Sequence, residues 1–116
     1  METHRVVFHL DEANKARTDL VLGSLVNLLA DLKPEALEVE LVANAGGILA
    51  FLKIDNPHAD QIRGLAALGV RFCLCANSMR QHGLSEDMFL DEAEVVSSGV
   101  GELVRKQTLG WAYIRP

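Results

Sequence analysis

Two residues of this chain carry a side chain able to act as a covalent nucleophile near neutral pH, Cys73 and Cys75. A thiol attacks only as its thiolate, so the useful cysteine is one placed where a positive helix end or unpaired backbone N–H groups favour the anion. Both lie in Val70-Arg71-Phe72-Cys73-Leu74-Cys75, which reads as a strand, and Asn77 to Gln81 reads as a short helix ended by Gly83. Cys75 therefore takes the last strand position, at a helix start, while Cys73 stays inside the strand and is expected to pack. Burial as a small hydrophobe is the competing fate of Cys75, because free cysteines are among the most buried residues. On a strand, residues two apart face the same way about 6.6 Å apart, a poor geometry for a disulfide. Two free thiols suit a reducing compartment, so a cytoplasmic location is expected.

The residues that could serve this thiol sit at the carboxyl ends of the other strands, where open parallel sheets bind ligands. Those ends are His9 to Glu12, Asn44 to Gly47, Cys75 to Ser78 and Ser97 to Gly99. They offer His9, Asn44, Gly46, Gly47, Asn77, Ser78, Ser98 and Gly99 as pocket-lining candidates. The bland alternatives are that Asn44 closes a turn, Ser98 caps a helix and His9 is structural. A thiol hydrolase would need a base such as His9 or His82 beside Cys75. Cys75 to Arg80 is Cys-x4-Arg, one residue short of a phosphatase loop. It has the length of a rhodanese loop but no glycine to let its amides converge. Gly46-Gly47 is neither a dinucleotide-binding nor a Walker pattern. Cys73, Cys75 and His82 lack metal-ligand spacing and a fourth partner, so no metal and no cofactor is expected.

The elements that must position these residues alternate from end to end. Strands are expected at Arg5–Leu10, Leu37–Ala43, Val70–Cys75, Ala93–Val96 and Trp111–Ile114. Glu38 and Glu40 alternate with apolar residues in the second, which suggests an edge or half-exposed position, and the apolar third strand suggests the sheet's centre. Asp11 or Asn14 caps a first helix with apolar residues at Val21, Leu25, Leu28, Leu29 and Leu32, closed by Pro34. A short helix spans Ile48 to Lys53. Asn56-Pro57 starts another that carries Ile62, Leu65 and Leu68 and ends at Gly69. Leu84 to Glu92 holds one turn capped by Ser85. Ser97 or Ser98 caps the last helix, which Gly110 ends. This β-α alternation predicts a mainly parallel sheet with helices on both faces.

Composition bounds the rest. At 116 residues with 49% hydrophobic content, a single domain with one core is expected over residues 1–116. The formal charge of −5 and the lack of any Lys/Arg run argue against nucleic acid and anionic membrane as partners. No apolar stretch approaches the roughly 20 residues of a membrane span. Met1 to His4 leads into a short apolar run without a cleavage site, so no signal peptide is expected.

Set in order, these segments are similar to a known family. The stretch Cys75-Ala76-Asn77-Ser78-Met79 is followed by Val96-Ser97-Ser98-Gly99-Val100-Gly101-Glu102-Leu103 and by Gln107-Thr108-Leu109-Gly110-Trp111-Ala112-Tyr113-Ile114. With Arg5-Val6-Val7-Phe8-His9, Asn27 and Val42-Ala43-Asn44-Ala45-Gly46-Gly47, they resemble the DsrE/DsrF-like family, closest to its small single-domain branch. The resemblance implies a three-layer α/β/α sandwich around a five-stranded parallel sheet, assembled as a homotrimer or hexamer. It also implies sulfur relay, in which Cys75 would hold sulfane sulfur as a persulfide between a donor and an acceptor protein. Asn77-Ser78-Met79-Arg80 does not reproduce the relay subunits' characteristic loop. The alternative is a non-enzymatic homo-oligomer that binds a small ligand or partner at the same edge. Asn27 and Gln107 are expected at a packing face or subunit contact, and Trp111 and Tyr113 in core or interface.

Overall fold

The computed structural model describes residues 2–32 and 34–116. Along the chain run β1 (His4–Leu10), α1 (Lys15–Asp31), β2 (Leu37–Ala43), α2 (Ala59–Ala67), β3 (Arg71–Cys75), α3 (Ala76–Gln81), β4 (Ala93–Val96), α4 (Gly99–Thr108) and β5 (Ala112–Ile114). Short 3-10 turns lie at Pro34–Ala36, Ala45–Phe51 and Glu86–Met88. All four strand pairings are parallel, in the order β4-β3-β2-β1-β5.

The two faces of this sheet differ in kind. One presents Val6, Phe8, Leu10, Val39, Leu41, Ala43, Phe72 and Leu74, covered by Val21, Leu22 and Leu25 of α1 and Ile62 and Leu65 of α2. Burial of Thr18, Val21, Leu22 and Leu25 follows the i, i+3, i+4, i+7 spacing of one helix stripe. Removing these side chains from water supplies the main drive to fold, about 25 cal/mol per Å² of apolar surface. The opposite face carries Val7, Val42 and Cys73 with a smaller cluster under Leu103 of α4, flanked by Val96 and Trp111. The sandwich is therefore unequal: α1, α2 and, through Met79, α3 cover a thick apolar core on one side, and α4 lies on the other.

Several sequence expectations shift. The second strand is the sheet's centre rather than its edge, and Glu40 is fully buried beneath α4. Its charged residue marks a polar contact inside the fold, which alternation alone mimics as exposure. The third strand lies beside that centre and is buried because it still has a neighbour on each side. The segment expected as a helix from Ile48 is a 3-10 turn beginning at Ala45. Helix α2 starts at Ala59, after an Asn56 side chain that closes a turn by accepting from the His58 amide at 2.9 Å. Asn14, not Asp11, caps α1 by accepting from the Arg17 amide at 2.8 Å, and Ser98 caps α4 by accepting from Gly101 at 3.0 Å. Helix α3 starts at Ala76, directly after Cys75. Strand β5 is only three residues long and is exposed throughout.

Gly47 shows how tightly the carboxyl edge is built. A Cβ there would overlap the Leu10 carbonyl oxygen and lie 2.6 Å from its carbon, whereas one at Gly46 would rest 3.7 Å from the Asp11 oxygen. The expected outcome is that Gly47→Ala loses about 2 kcal/mol or more in chemical denaturation while Gly46→Ala stays within about 0.5 kcal/mol of wild type. Equal stability of the two variants would contradict this packing.

Candidate functional site

Three adjacent strands and α4 bring the chemistry together. Leu10 pairs with Ala43 and Ala43 with Leu74, so Asn44 leaves the sheet beside Cys75, with His9 a residue before the end of β1. Gly99 closes the group from above. A Cβ on Gly99 would stand 3.0 Å from the Asn44 Cβ and 3.1 Å from the Cys75 Cβ. The absence of that carbon lets the first residue of α4 lie flush against the cysteine.

Cys75 keeps 5% of its surface exposed. Burial alone pushes its thiol up, but hydrogen bonds from the Ser78 hydroxyl and the amides of Gly99, Ser78 and Asn77 outweigh that effect, leaving its pKa below the ordinary thiol value. Ser78 is aimed by its other neighbour: the Ala45 amide donates to the Ser78 oxygen at 2.7 Å, so the hydroxyl proton is free to serve the sulfur. Ala45 adopts φ 49°, a left-handed conformation that costs a non-glycine residue roughly 1–2 kcal/mol.

Cys73 is the opposite case. It is fully buried, and burial together with the neighbouring Glu40 charge pushes its thiol far up. Its S–H donates to Glu40 Oε1 at 3.2 Å.

The remaining candidates separate. His9 Nε2 donates to Asn44 Oδ1 at 2.8 Å, leaving Nδ1 to accept from the Tyr113 hydroxyl at 2.6 Å. Both ring nitrogens of His9 are thus engaged away from the sulfur, and His82 Nδ1 donates to the Ser78 carbonyl oxygen at 2.9 Å. Tyr113, expected in core or interface, is a half-exposed member of this edge. Asn77 and Ser78 reach Cys75 through backbone or hydroxyl, Ser98 fixes the start of α4, and Gly99 supplies an amide. Gly46 and Gly47 belong to the turn behind the site, packed toward Leu10 and Asp11. Gln107 donates to the Leu103 carbonyl within α4, and Asn27 borders a shallow cleft with Ile114.

A second polar group, unforeseen in the sequence, lies on the same face under α4. An oxygen of Glu40, one of Glu102 and the Cys73 sulfur lie within 4.8 Å of one another. Lys106 Nζ stands 3.4 Å from Glu40 and 3.9 Å from Glu102, and 4.6 Å from the centre of the Trp111 ring. Burial and the hydrogen bond to Glu102 push the Glu40 carboxyl up to about 7, and the same bond holds Glu102 below its usual range. The visible signal was a lone glutamate in an apolar strand and the Glu102–Lys106 spacing on a later helix; nothing local joined them. Surface clefts of about 290 and 340 Å³ are lined by the 49–58 segment with α1 and by the amino edge of β2 with Lys106 and Trp111. Among the described residues no helix is long and apolar enough to cross a membrane.

The model of the DsrE/DsrF-like family matches residues 3–116. The structure of MTH1491, a protein of unknown function from Methanobacterium thermoautotrophicum, is 43% identical, covers 97% of this chain and 99% of its own, and superposes with a TM-score of 0.92. The crystal structure of the ychN protein from E. coli shares the fold at 19% identity and a TM-score of 0.81, over 98% of this chain and all of its own. No curated protein matches the chain.

At pH 7 iodoacetamide is expected to label Cys75 ahead of Cys73, read by peptide mass spectrometry. Ser78→Ala should slow that labelling by a factor on the order of 10, the worth of one hydrogen bond to the thiolate. Faster labelling of Cys73, or an unaltered rate in Ser78→Ala, would contradict the site.

Proposed function

The chain belongs to the DsrE/DsrF-like family, and from that premise we propose that it is a sulfur-relay protein carrying sulfane sulfur as a persulfide on Cys75. One observation carries this reading: a nearly buried sulfur flanked by the starts of α3 and α4, where the Ser78 hydroxyl and the amides of Asn77, Ser78 and Gly99 favour its thiolate. Such donors serve a persulfide as well as a thiolate, because the anionic charge is delocalised over neighbouring sulfur.

In uptake, the Cys75 thiolate attacks the outer sulfur of a donor R–S–SH. A new S–S bond forms at Cys75, the donor's S–S bond breaks, and the donor leaves as the thiolate R–S⁻. In delivery, an acceptor thiolate attacks the outer sulfur and Cys75 departs as the thiolate its surroundings favour. Each step exchanges one S–S bond for another with no net oxidation, so neither metal nor cofactor is required. The low pKa suits the second step especially, since a more acidic thiol leaves faster. Both cysteines are free thiols, which fits a reducing, cytoplasmic setting.

The proposal includes self-association, as a trimer or hexamer. Val100 and Val104 of α4 and Leu109 just past its end stand exposed, as does Ile114 on the open edge strand β5. Covering such apolar surface and an unpaired strand edge is what a second copy would do. Light scattering is expected to give a mass that is a multiple of 12.7 kDa; a monomer across micromolar concentrations would contradict it.

Incubated with a sulfane sulfur donor, wild-type protein is expected to gain the mass of one sulfur atom per chain. Reductant should remove it, Cys73→Ser should still gain it, and Cys75→Ser should not. Sulfur gain by Cys75→Ser would move the acceptor elsewhere. Failure of the wild type with several donors would favour a binding module that takes a small ligand or partner at this edge.

A further inference from the structure

Helix α4 touches both polar groups on its face of the sheet. Its sheet-facing positions are Gly99, Glu102, Leu103 and Lys106, the spacing of a single helical stripe. At one end of the stripe the Gly99 amide donates to the Cys75 sulfur. One turn further on, Glu102 meets Glu40 of the central strand, and one turn beyond that Lys106 reaches the same carboxyl. Leu103 is the one large apolar side chain buried between them. Besides Leu103 and Lys106, α4 meets the sheet through this carboxyl pair, whose oxygens lie within 4.8 Å of each other, and two carboxylates brought that close attract only while one of them is protonated.

We propose that the Glu40–Glu102 pair is a proton-dependent latch that seats the first turn of α4 on Cys75, and so sets how strongly the thiolate is held. With the proton present, Glu40 donates to the Glu102 carboxylate and α4 is drawn onto β2. Without it, two buried carboxylates repel and the flush contact of Gly99 with Cys75 loosens. The groups facing Glu40 are Arg71 and Cys73 from β3, and Glu102 and Lys106 from α4. Arg105 lies beyond Glu102, and Glu94 of β4 beyond Arg71. Lys106 and the half-exposed Arg71 soften the repulsion without replacing the hydrogen bond. Glu40, raised from 4.5 to about 7, gives its proton up in the neutral range. Its contribution to the closed arrangement is full below pH 4.5 and is lost as pH rises through about 7.

The latch rests on Cys75 being the reactive sulfur, and its consequence can be read without any sulfur donor. Thiolate ultraviolet absorbance is followed against pH, with the Cys75→Ser signal subtracted. As the pair ionises, the Cys75 thiolate loses support, so the wild-type curve should be broader than a one-proton titration. Glu40→Gln donates an amide hydrogen to Glu102 at every pH. Its curve should be a one-proton titration with a lower midpoint, and its thiol-to-thiolate ratio at pH 8 should be roughly threefold or more below that of wild type. Glu102→Gln should do the same, guarding against one variant's failure to fold, and Glu94→Gln should leave the wild-type curve unchanged. A one-proton wild-type curve would overturn the latch by itself, as would variants that superpose on a broad wild-type curve. Absence of any Cys75 titration near or below the ordinary thiol range would overturn both the latch and Cys75 as the reactive sulfur.

Discussion

A sulfur that is nearly out of water and still favoured as an anion must have its charge met by donors that the fold itself holds in place. Cys75 satisfies that constraint with donors from two directions: the start of α3, which follows it in sequence, and the start of α4, which returns after β4. Much of the carboxyl edge serves this requirement. Ala45 accepts a left-handed conformation, and its amide orients the Ser78 hydroxyl. Gly99 lacks the side chain that would hold α4 away, and Ser98 caps the helix so that its first turn is properly formed. One left-handed residue, Ala45, and one tight approach, at Gly99, lie beside the sulfur, as expected of a site whose precision costs stability that the apolar core offsets.

The face of the sheet that holds the sulfur is correspondingly weak in apolar contacts. Residues facing α1 and α2 form a continuous hydrophobic layer, whereas the side beneath α4 alternates Val7, Val42 and Leu103 with Glu40, Glu102, Cys73 and Lys106. Burying a carboxyl pair there is expensive unless a proton and a cation accompany it; Lys106 supplies the cation, and burial raises the Glu40 carboxyl so that it favours its proton. The same pair also explains why Cys73 and Cys75 diverge despite identical side chains two residues apart. Cys73 donates its hydrogen to a carboxyl and stays a thiol, while Cys75 accepts from neutral donors.

Most of the architecture was legible because it rests on local signals. Strand–helix alternation, a cap at Asp11 or Asn14 and another at Ser97 or Ser98, and Cys75 at a strand end all follow from period and capping chemistry. The errors arose where local signals have two meanings. Glu40 in an alternating strand looks the same whether it faces water or a buried partner, and that partner, Glu102, lies 62 positions later. Asn56-Pro57 resembles a helix start, yet the asparagine side chain spends itself on a turn and the helix begins at Ala59. At the site, the sequence pointed to Cys75 with His9, Asn44, Gly46, Gly47, Asn77, Ser78, Ser98 and Gly99 around it, of which Gly46 and Gly47 pack behind it toward Leu10 and Asp11. It did not disclose that Tyr113 completes the chain through His9 to Asn44, because short exposed edge strands carry little pattern.

The most direct measurement of the account is a pH titration followed by NMR of protein labelled with carbon-13 at the cysteine Cβ, which reports both thiols in one sample. Cys75 should titrate below the ordinary thiol value, and Cys73 should remain a thiol over the whole range in which the fold is intact. Titration of Cys75 at or above that value, or of the two cysteines together, would contradict the claim that the convergence of α3 and α4 lowers the pKa of this sulfur.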